Sequence, residues 1–313
     1  MSLLQVHDLV VDYVGTSGRV RSLDGASLTV QSGEIVALLG ESGSGKSTLA
    51  AAIGHLPVPG LLRVSGGVRI GDAEVGDLDP AALRSLRRTT LGYVVQNPVA
   101  ALDPTMKLGR QVALALGADA AAAARALEGF GFADIGRVLD SYPHQVSGGM
   151  AQRVTIAMVI QRQPRLIIAD EPTAALDAPV RAQVLELLVG ECRRLGAALL
   201  LVTHDLQSAR AFAERAAVMY AGRIVESGSA GDVLDRPRHP YTKALLRAAV
   251  GRERQGERLV PIPGLPPHLT ARQTFCAFAP RCGNAVERCR TERPEVSAQH
   301  GDVLCLRIGE AAE

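Results

Sequence analysis

The sequence predicts an α/β protein built on a parallel sheet, and three observations predict it. First, short continuous apolar runs recur at 34–39 (Glu-Ile-Val-Ala-Leu-Leu), 166–169 (Leu-Ile-Ile-Ala) and 197–202. Runs that do not alternate are the pattern of strands buried on both faces. Second, each run leads into a helical stretch, beginning near Lys46, at 180–195 and at 206–214 respectively. Strands alternating with helices make a parallel sheet. Third, the composition changes around Asp235-Arg-Pro-Arg-His-Pro240, after which Pro, Arg and Cys dominate. That change marks a smaller second region, so the expected organisation is 1–235 followed by 236–313.

The remaining elements follow in chain order. Residues 3–12 alternate with the period of a strand, as do parts of 20–30. A strand is expected at 91–95, a helical stretch from about 104 to 140 that takes in the alanine run 120–124, and a helix from about 149. No internal repeat is visible, so one copy of the α/β unit is expected.

Bulk properties exclude some functions. The chain has 313 residues, with 34 Lys and Arg against 32 Asp and Glu for a net charge of +2. A near-balance of this kind argues against binding nucleic acid through a broad basic surface. Mean hydropathy is +0.13, but no apolar run is long enough for a bilayer. The first thirteen residues carry Asp8 and Asp12 and do not read as a signal peptide. The expectation is a cytosolic protein that meets a membrane only through partners.

Gly40-Glu41-Ser42-Gly43-Ser44-Gly45-Lys46-Ser47 fits G-x-x-x-x-G-K-[ST] and sits between a buried strand and a helix, with Thr48 next. In that setting the glycines let backbone N–H groups wrap a phosphate at the positive helix end. Lys46 adds charge at the β- and γ-phosphates, and the Ser47 hydroxyl can ligate Mg²⁺. Downstream, the strand 165–169 delivers Asp170 and Glu171. Two acids after a strand are commonly only a turn. Behind a phosphate loop they read as a Mg²⁺ carboxylate and a residue that orients the attacking water.

Val146-Ser147-Gly148-Gly149-Met150, opening a helix, closely resembles the LSGGQ signature of ATP-binding cassette (ABC) proteins. Gln96 resembles the family's Q-loop glutamine, Ala175-Leu176-Asp177 its D-loop, His204 its switch histidine, and Tyr13, 27 residues before Gly40, its adenine-stacking aromatic. The resemblance covers roughly 3–235. It implies a P-loop NTPase cassette with a RecA-like parallel core, an antiparallel β arm and a helical subdomain at about 99–150. It also implies that Mg²⁺ is held by Ser47, Gln96 and Asp170, with Glu171 and His204 catalytic. Ser147, Gly148 and Gly149 would serve the ATP of a partner subunit. The signature departs from the usual pattern at Val146 and Met150, neither of which removes the Ser-Gly-Gly contacts. Met150, together with Tyr142-Pro143-His144-Gln145, looks like the branch importing oligopeptides, dipeptides or nickel.

The tail points the same way. His239-Pro240-Tyr241-Thr242 resembles the start of the C-terminal region of oligopeptide and dipeptide transporter ATPases. Beyond it stand Cys276, Cys282, Cys289 and Cys305, spaced Cys-x₅-Cys-x₆-Cys-x₁₅-Cys among prolines. Four thiols crowded in a reducing compartment suggest metal before disulfides. The resemblance implies a structural [4Fe–4S] cluster on these four. Zn²⁺ is the alternative, although zinc sites usually show close C-x₂₋₄-C pairs. His300 lies in the long third gap and is left out, while Cys192 reads as an ordinary packed residue. Because the cysteines lie outside the nucleotide motifs, loss of the cluster is expected to loosen residues after about 260 and spare nucleotide binding.

The function these readings imply is the ATP-hydrolysing subunit of a peptide importer, peripheral on the cytoplasmic face of the inner membrane. Implied partners are a second, homologous and non-identical ATPase subunit, two transmembrane permease subunits and, indirectly, an extracytoplasmic solute-binding protein, with no nucleic acid. Nickel or another metal complex is the rival cargo. A soluble ABC ATPase of DNA repair or translation is the rival class. Such proteins usually carry two cassettes or a long insertion within the cassette, which this sequence lacks.

Overall fold

The computed structural model describes residues 2–16, 18–174, 176–250, 261–295 and 302–308. The chain divides into two compact units, neither of which follows the change of composition near residue 235. One comprises Met1–Gln31, Ile35–Asp77 and Val202–Glu313; the other comprises Ser32–Glu34 and Leu78–Leu201.

The first unit opens with β1 (Ser2–Gly15) and β2 (Gly18–Gln31), an antiparallel pair whose alternation sends Leu4, Leu9, Val11 and Leu23 into the interior. Then come β3 (Ile35–Leu39), buried along its whole length, and α1 (Lys46–Ile53). Two strands absent from the sequence reading, β4 (Leu61–Ile70) and β5 (Ala73–Glu74), complete an antiparallel sheet in the order β2-β1-β4-β5. This sheet is the expected β arm. Strand β4 was hard to read because it carries an adjacent Gly66-Gly67 pair and is exposed over much of its length.

The second unit begins with α2 (Pro80–Thr89), whose N-terminus is capped by Asp79 accepting from the N–H groups of Ala81 and Ala82. Helix α2 is amphipathic, with Leu83 and Leu86 partly covered, but no residue of it is fully buried. After β6 (Leu91–Val94) and the short α3 (Pro98–Ala101), the expected stretch 104–140 is three helices: α4 (Leu108–Leu116), α5 (Ala120–Ala126) and α6 (Ile135–Asp140). The break after α4 is chemical, because Gly117 terminates it in a left-handed conformation at φ +63°. Asp119 and Asp134 then cap the starts of α5 and α6. The unit closes with α7 (Gly148–Ile160), β7 (Leu166–Asp170), α8 (Ala178–Leu195) and β8 (Ala198–Val202), its strands lying in the order β8-β7-β6 with β6 and β7 parallel.

The chain then returns to the first unit through α9 (Leu206–Phe212), β9 (Arg215–Tyr220), β10 (Arg223–Ser229) and α10 (Ala230–Asp235). Strand β9 runs parallel to β3 and antiparallel to β10. The tail supplies α11 (Pro240–Val250) and α12 (Glu287–Thr291). Its apolar residues Tyr241, Leu269 and Phe278 belong to one core with Ala37 and Leu39 of β3 and Val218 and Tyr220 of β9. Burying a Leu or Phe is worth about 1.5–3 kcal/mol each, which explains why the tail joins the unit that holds β3.

Candidate functional site

Strand β3 ends at Leu39 and the chain turns at Gly40. A Cβ there would stand 2.3 Å from the Met219 carbonyl oxygen and 2.8 Å from Ser44 Oγ, at φ +153°. Gly45, at φ +106°, leaves 2.7 Å between a Cβ and the Ser22 oxygen. Only glycine fits either position. Gly45 N-caps α1 with no side-chain hydrogen bond, so the first N–H groups of the helix carry no side-chain cap. Lys46 is buried, and its Nζ donates to the carbonyls of Gly40 at 2.8 Å and Glu41 at 2.9 Å. Ser44 is buried too, and its Oγ has no hydrogen-bond partner among the described residues. An uncapped helix start, a lysine bent over the loop and an orphaned hydroxyl form a cradle suited to an anion.

Ser42, Gly43 and Ser47 are exposed on this loop. Thr48 is buried, with its hydroxyl 2.7 Å from Ser22 Oγ. Tyr13 lies half-buried near the hairpin end of β1, opposite Val20 of β2 and Leu61 of β4. The exposed His204 sits in the turn before α9, where the Thr203 N–H donates to the Leu38 carbonyl at 3.1 Å. Asp205 caps α9, accepting from the Gln207 N–H and the Ser208 hydroxyl.

In the second unit β7 is wholly buried and ends on Asp170, which accepts from the Tyr93 hydroxyl at 3.4 Å. Tyr93, on β6, was not singled out in the sequence, although its position three residues before Gln96 placed it on the neighbouring strand. Glu171 takes a left-handed backbone at φ +45°, which costs a residue with a Cβ of order 1–3 kcal/mol. Its carboxylate accepts from Gln96 Nε2 at 3.3 Å. Asp170, Glu171, Gln96 and Tyr93 therefore form one polar group at the ends of β6 and β7.

The signature and the D-loop are helix starts in this same unit. Ser147 N-caps α7, its Oγ accepting from the Met150 N–H at 3.3 Å, and Ser147 and Gly148 are exposed. Gly149 is buried, and a Cβ on it would lie 2.6 Å from Val180 Cγ1 of α8. Asp177 caps α8 through the Val180 N–H, and Ala175 lies outside the described residues.

The tail carries a second group of chemistry-bearing residues. Glu226 is 2% exposed and accepts from the N–H groups of Arg238 at 2.7 Å and His239 at 3.0 Å. The His239 ring accepts from the Tyr241 N–H at Nδ1, which leaves Nε2 to donate to the Leu304 carbonyl at 3.1 Å. Burial pulls its pKa down to about 4. The segment that marks the C-terminal region thus anchors it.

Cys276, Cys282, Cys289 and Cys305 line one cavity of about 150 Å³, with Phe278, Lys243 and Arg307 also at its wall. All four are free thiols. Burial, reinforced by neighbouring thiols, pushes Cys276 up to about 11 and raises Cys282 and Cys305 as well. Among the described residues no three His, Cys, Asp or Glu side chains are arranged to hold a metal ion; His300 lies outside them. Cys192 is fully buried, with its thiol pushed up to about 12 by burial.

The tail reaches the phosphate loop at Glu41. Tyr241 OH accepts from the Glu41 N–H at 2.9 Å, and Arg281 holds the Glu41 carboxylate with two nitrogens, at 2.8 and 3.1 Å. Neither residue was singled out for this role, because a contact across 200 or 240 residues leaves no local pattern. Among the described residues no helix is long and apolar enough to cross a membrane.

Comparison with known proteins follows the same lines. Residues 23–174 match the family model described as ABC transporter, and 225–289 match the one described as oligopeptide/dipeptide transporter, C-terminal region. The chain is 39% identical over 306 residues to the dipeptide transport ATP-binding protein DppD of Escherichia coli, covering 95% of this chain and 93% of that one. It is 42% identical over 318 residues to the oligopeptide transport ATP-binding protein OppD of Mycobacterium tuberculosis, covering 97% of this chain and 52% of that one. The chain thus spans about half the length of that mycobacterial relative. Among solved structures, an ATP-binding cassette in a dimeric post-hydrolysis state with ADP and phosphate matches at TM-score 0.65 and 30% identity, over 72% of this chain and 98% of that one. With its P-loop and signature helix in place and a tail of the matching kind, the chain belongs to the ABC transporter ATP-binding proteins, in the oligopeptide/dipeptide branch.

Proposed function

We propose that this chain is the ATP-binding and ATP-hydrolysing subunit of an importer of peptides of the dipeptide or oligopeptide class. The observation that carries the reading is the phosphate loop, where the helix start without a side-chain cap, Lys46 and the buried Ser44 hydroxyl together suit an anion. On binding, the triphosphate takes the loop N–H groups, and Lys46 exchanges the Gly40 and Glu41 carbonyls for phosphate oxygens. Glu171 holds the attacking water and accepts its proton, and Gln96 keeps its carboxylate oriented. Ser47, Gln96 and Asp170 would hold Mg²⁺, which would supply charge neutralisation of the phosphates. Tyr13 stacks on the base, and His204 faces the γ-phosphate.

Ser147, Gly148 and Gly149 complete the site of a second, homologous ATPase subunit, and the exposure of the first two supports that role. Two permease subunits and an extracytoplasmic solute-binding protein complete the transporter, which puts the chain on the cytoplasmic face of the cell membrane. In domain terms 1–235 is the cassette, with 99–150 as its helical subdomain, and 236–313 is the extension.

The four tail thiols suit a [4Fe–4S] cluster more than a lone Zn²⁺. What supports the cluster is that all four thiols line one cavity and that the close C-x₂₋₄-C pairs usual at zinc sites are missing from the sequence. Lys243 and Arg307 at the wall would offset its negative charge. Cys276, Cys282, Cys289 and Cys305 would hold it, and the cluster would supply a structural staple and no step of hydrolysis. Anaerobically purified protein should contain iron and sulfide in near-equal amounts; stoichiometric zinc without iron would overturn this assignment.

The functional reading is tested with the permease subunits and partner ATPase in proteoliposomes. Peptide uptake should require ATP, fail with Glu171→Gln although nucleotide still binds, and fail with Lys46→Ala because it does not. ATP-driven uptake of a nickel complex and no peptide would replace the cargo and keep the motor.

A further inference from the structure

Glu41 is the second residue of the phosphate loop, so it sets a carboxylate beside an anion site. Unpaired, that charge would oppose the phosphates. It is paired by Arg281, whose side chain is only 4% exposed and grips both carboxylate oxygens. This two-pronged geometry is the strong form of an ion pair. The guanidinium is itself fixed, with Nε donating to the Pro263 carbonyl at 2.8 Å, one terminal nitrogen donating to the Tyr220 hydroxyl at 3.4 Å, and its carbon 5.7 Å from the Tyr220 ring centre. Tyr241, fully buried against Tyr220 and Phe278, adds the second tie through the Glu41 N–H.

What carries Arg281 matters as much as what it touches. It ends a tight turn strung between two of the cavity cysteines. The Ala279 N–H donates to the Cys276 carbonyl at 2.9 Å and the Cys282 N–H to the Ala279 carbonyl at 3.3 Å. The Cys276 N–H is held in turn by the Cys289 carbonyl at 3.0 Å. A change in the spacing of these thiols therefore moves the backbone that aims the guanidinium.

We infer that Arg281 is a positioning residue for the phosphate loop, neutralising and anchoring Glu41 from the cysteine turn, so that nucleotide binding and the state of the four thiols are coupled. The inference rests on nucleotide occupying the phosphate loop and is independent of which metal the thiols hold. Coupling of this kind is reciprocal: if the thiol module sets nucleotide affinity, nucleotide must alter the thiol module.

The test uses the full chain and Mg²⁺ with a fluorescent ADP analogue. Arg281→Met should weaken binding about tenfold, within the usual range for coupled sites. Glu41→Gln, whose own effect is measured first, sets the reference in which the charge that Arg281 neutralises is gone. The double variant should then bind within about twofold of Glu41→Gln, a rescue that loss of packing alone would not give. Equal losses with and without Glu41, or no loss at all, overturn the inference. Lys46→Ala serves as the control for the phosphate loop, since binding unaffected by it would mean that the nucleotide sits elsewhere. If Arg281→Met does not fold, the unaltered protein still decides. Alkylation of Cys276 and Cys282 by N-ethylmaleimide in the presence of 1,10-phenanthroline, which strips iron or zinc and leaves Mg²⁺, followed by peptide mass spectrometry, should slow several-fold with Mg-ADP, and an unchanged rate overturns the coupling.

Discussion

Lowering the pH should release the anchor of the C-terminal region through His239, and the size of the effect can be worked from its surroundings. The ring is fully buried, accepts from the Tyr241 N–H and donates to the Leu304 carbonyl, so the folded protein holds it neutral. Its folded pKa is lowered from 6.5 to about 4, chiefly by burial. The unfolded chain therefore binds more protons than the folded one between these values. The stabilisation is complete above the unfolded pKa and is lost as the pH falls through the window towards about 4. Between about pH 7.5 and about pH 5 the loss comes to about 2 kcal/mol, or about a 30-fold rise in the open fraction of the segment. Hydrogen exchange at the Tyr241 and Leu304 amides, divided by the intrinsic exchange rate at each pH, reads that fraction. His239→Gln keeps a donor and an acceptor but does not titrate, so its profile should be flatter by the same amount. Identical pH profiles for the two proteins would refute the reasoning, because other groups would then be responsible.

Three further outcomes follow from named contacts. Glu171→Gly should be more stable than Glu171→Ala by about 1 kcal/mol in denaturant melts, because glycine tolerates the φ of +45° that alanine does not, and both should lose ATP turnover. Gly40→Ala places a methyl 2.3 Å from the Met219 carbonyl, and it should cost about 2 kcal/mol or more while weakening nucleotide binding in calorimetry. Tyr241→Phe removes the acceptor of the Glu41 N–H, and thermal melts should register about 1–3 kcal/mol of destabilisation.

Much of the site was legible in the sequence because its chemistry is local. A phosphate loop needs a glycine wherever a carbonyl crowds the turn, and the crowding atoms at Gly40 and Gly45 show why those positions could hold nothing else. Buried strands such as β3, β7 and β8 announce themselves because burial on both faces leaves no room for a polar residue. The acids and amides at strand ends, and the serine that caps α7, act within a few residues of where they are read. Other elements were missed: α2 is amphipathic but short and only partly covered, β4 is largely exposed, and the three helices of 108–140 were merged across Gly117.

Only the tertiary structure decided what the tail is joined to. By composition, residues after 235 look like a separate module, and the four cysteines look remote from ATP. Packing places Tyr241, Leu269 and Phe278 in the core of β3 and β9, and that burial brings Arg281 onto Glu41. Pairings across two hundred or more residues depend on how apolar surface is shared out when the chain collapses, and that sum over the whole molecule is written in no single stretch of it.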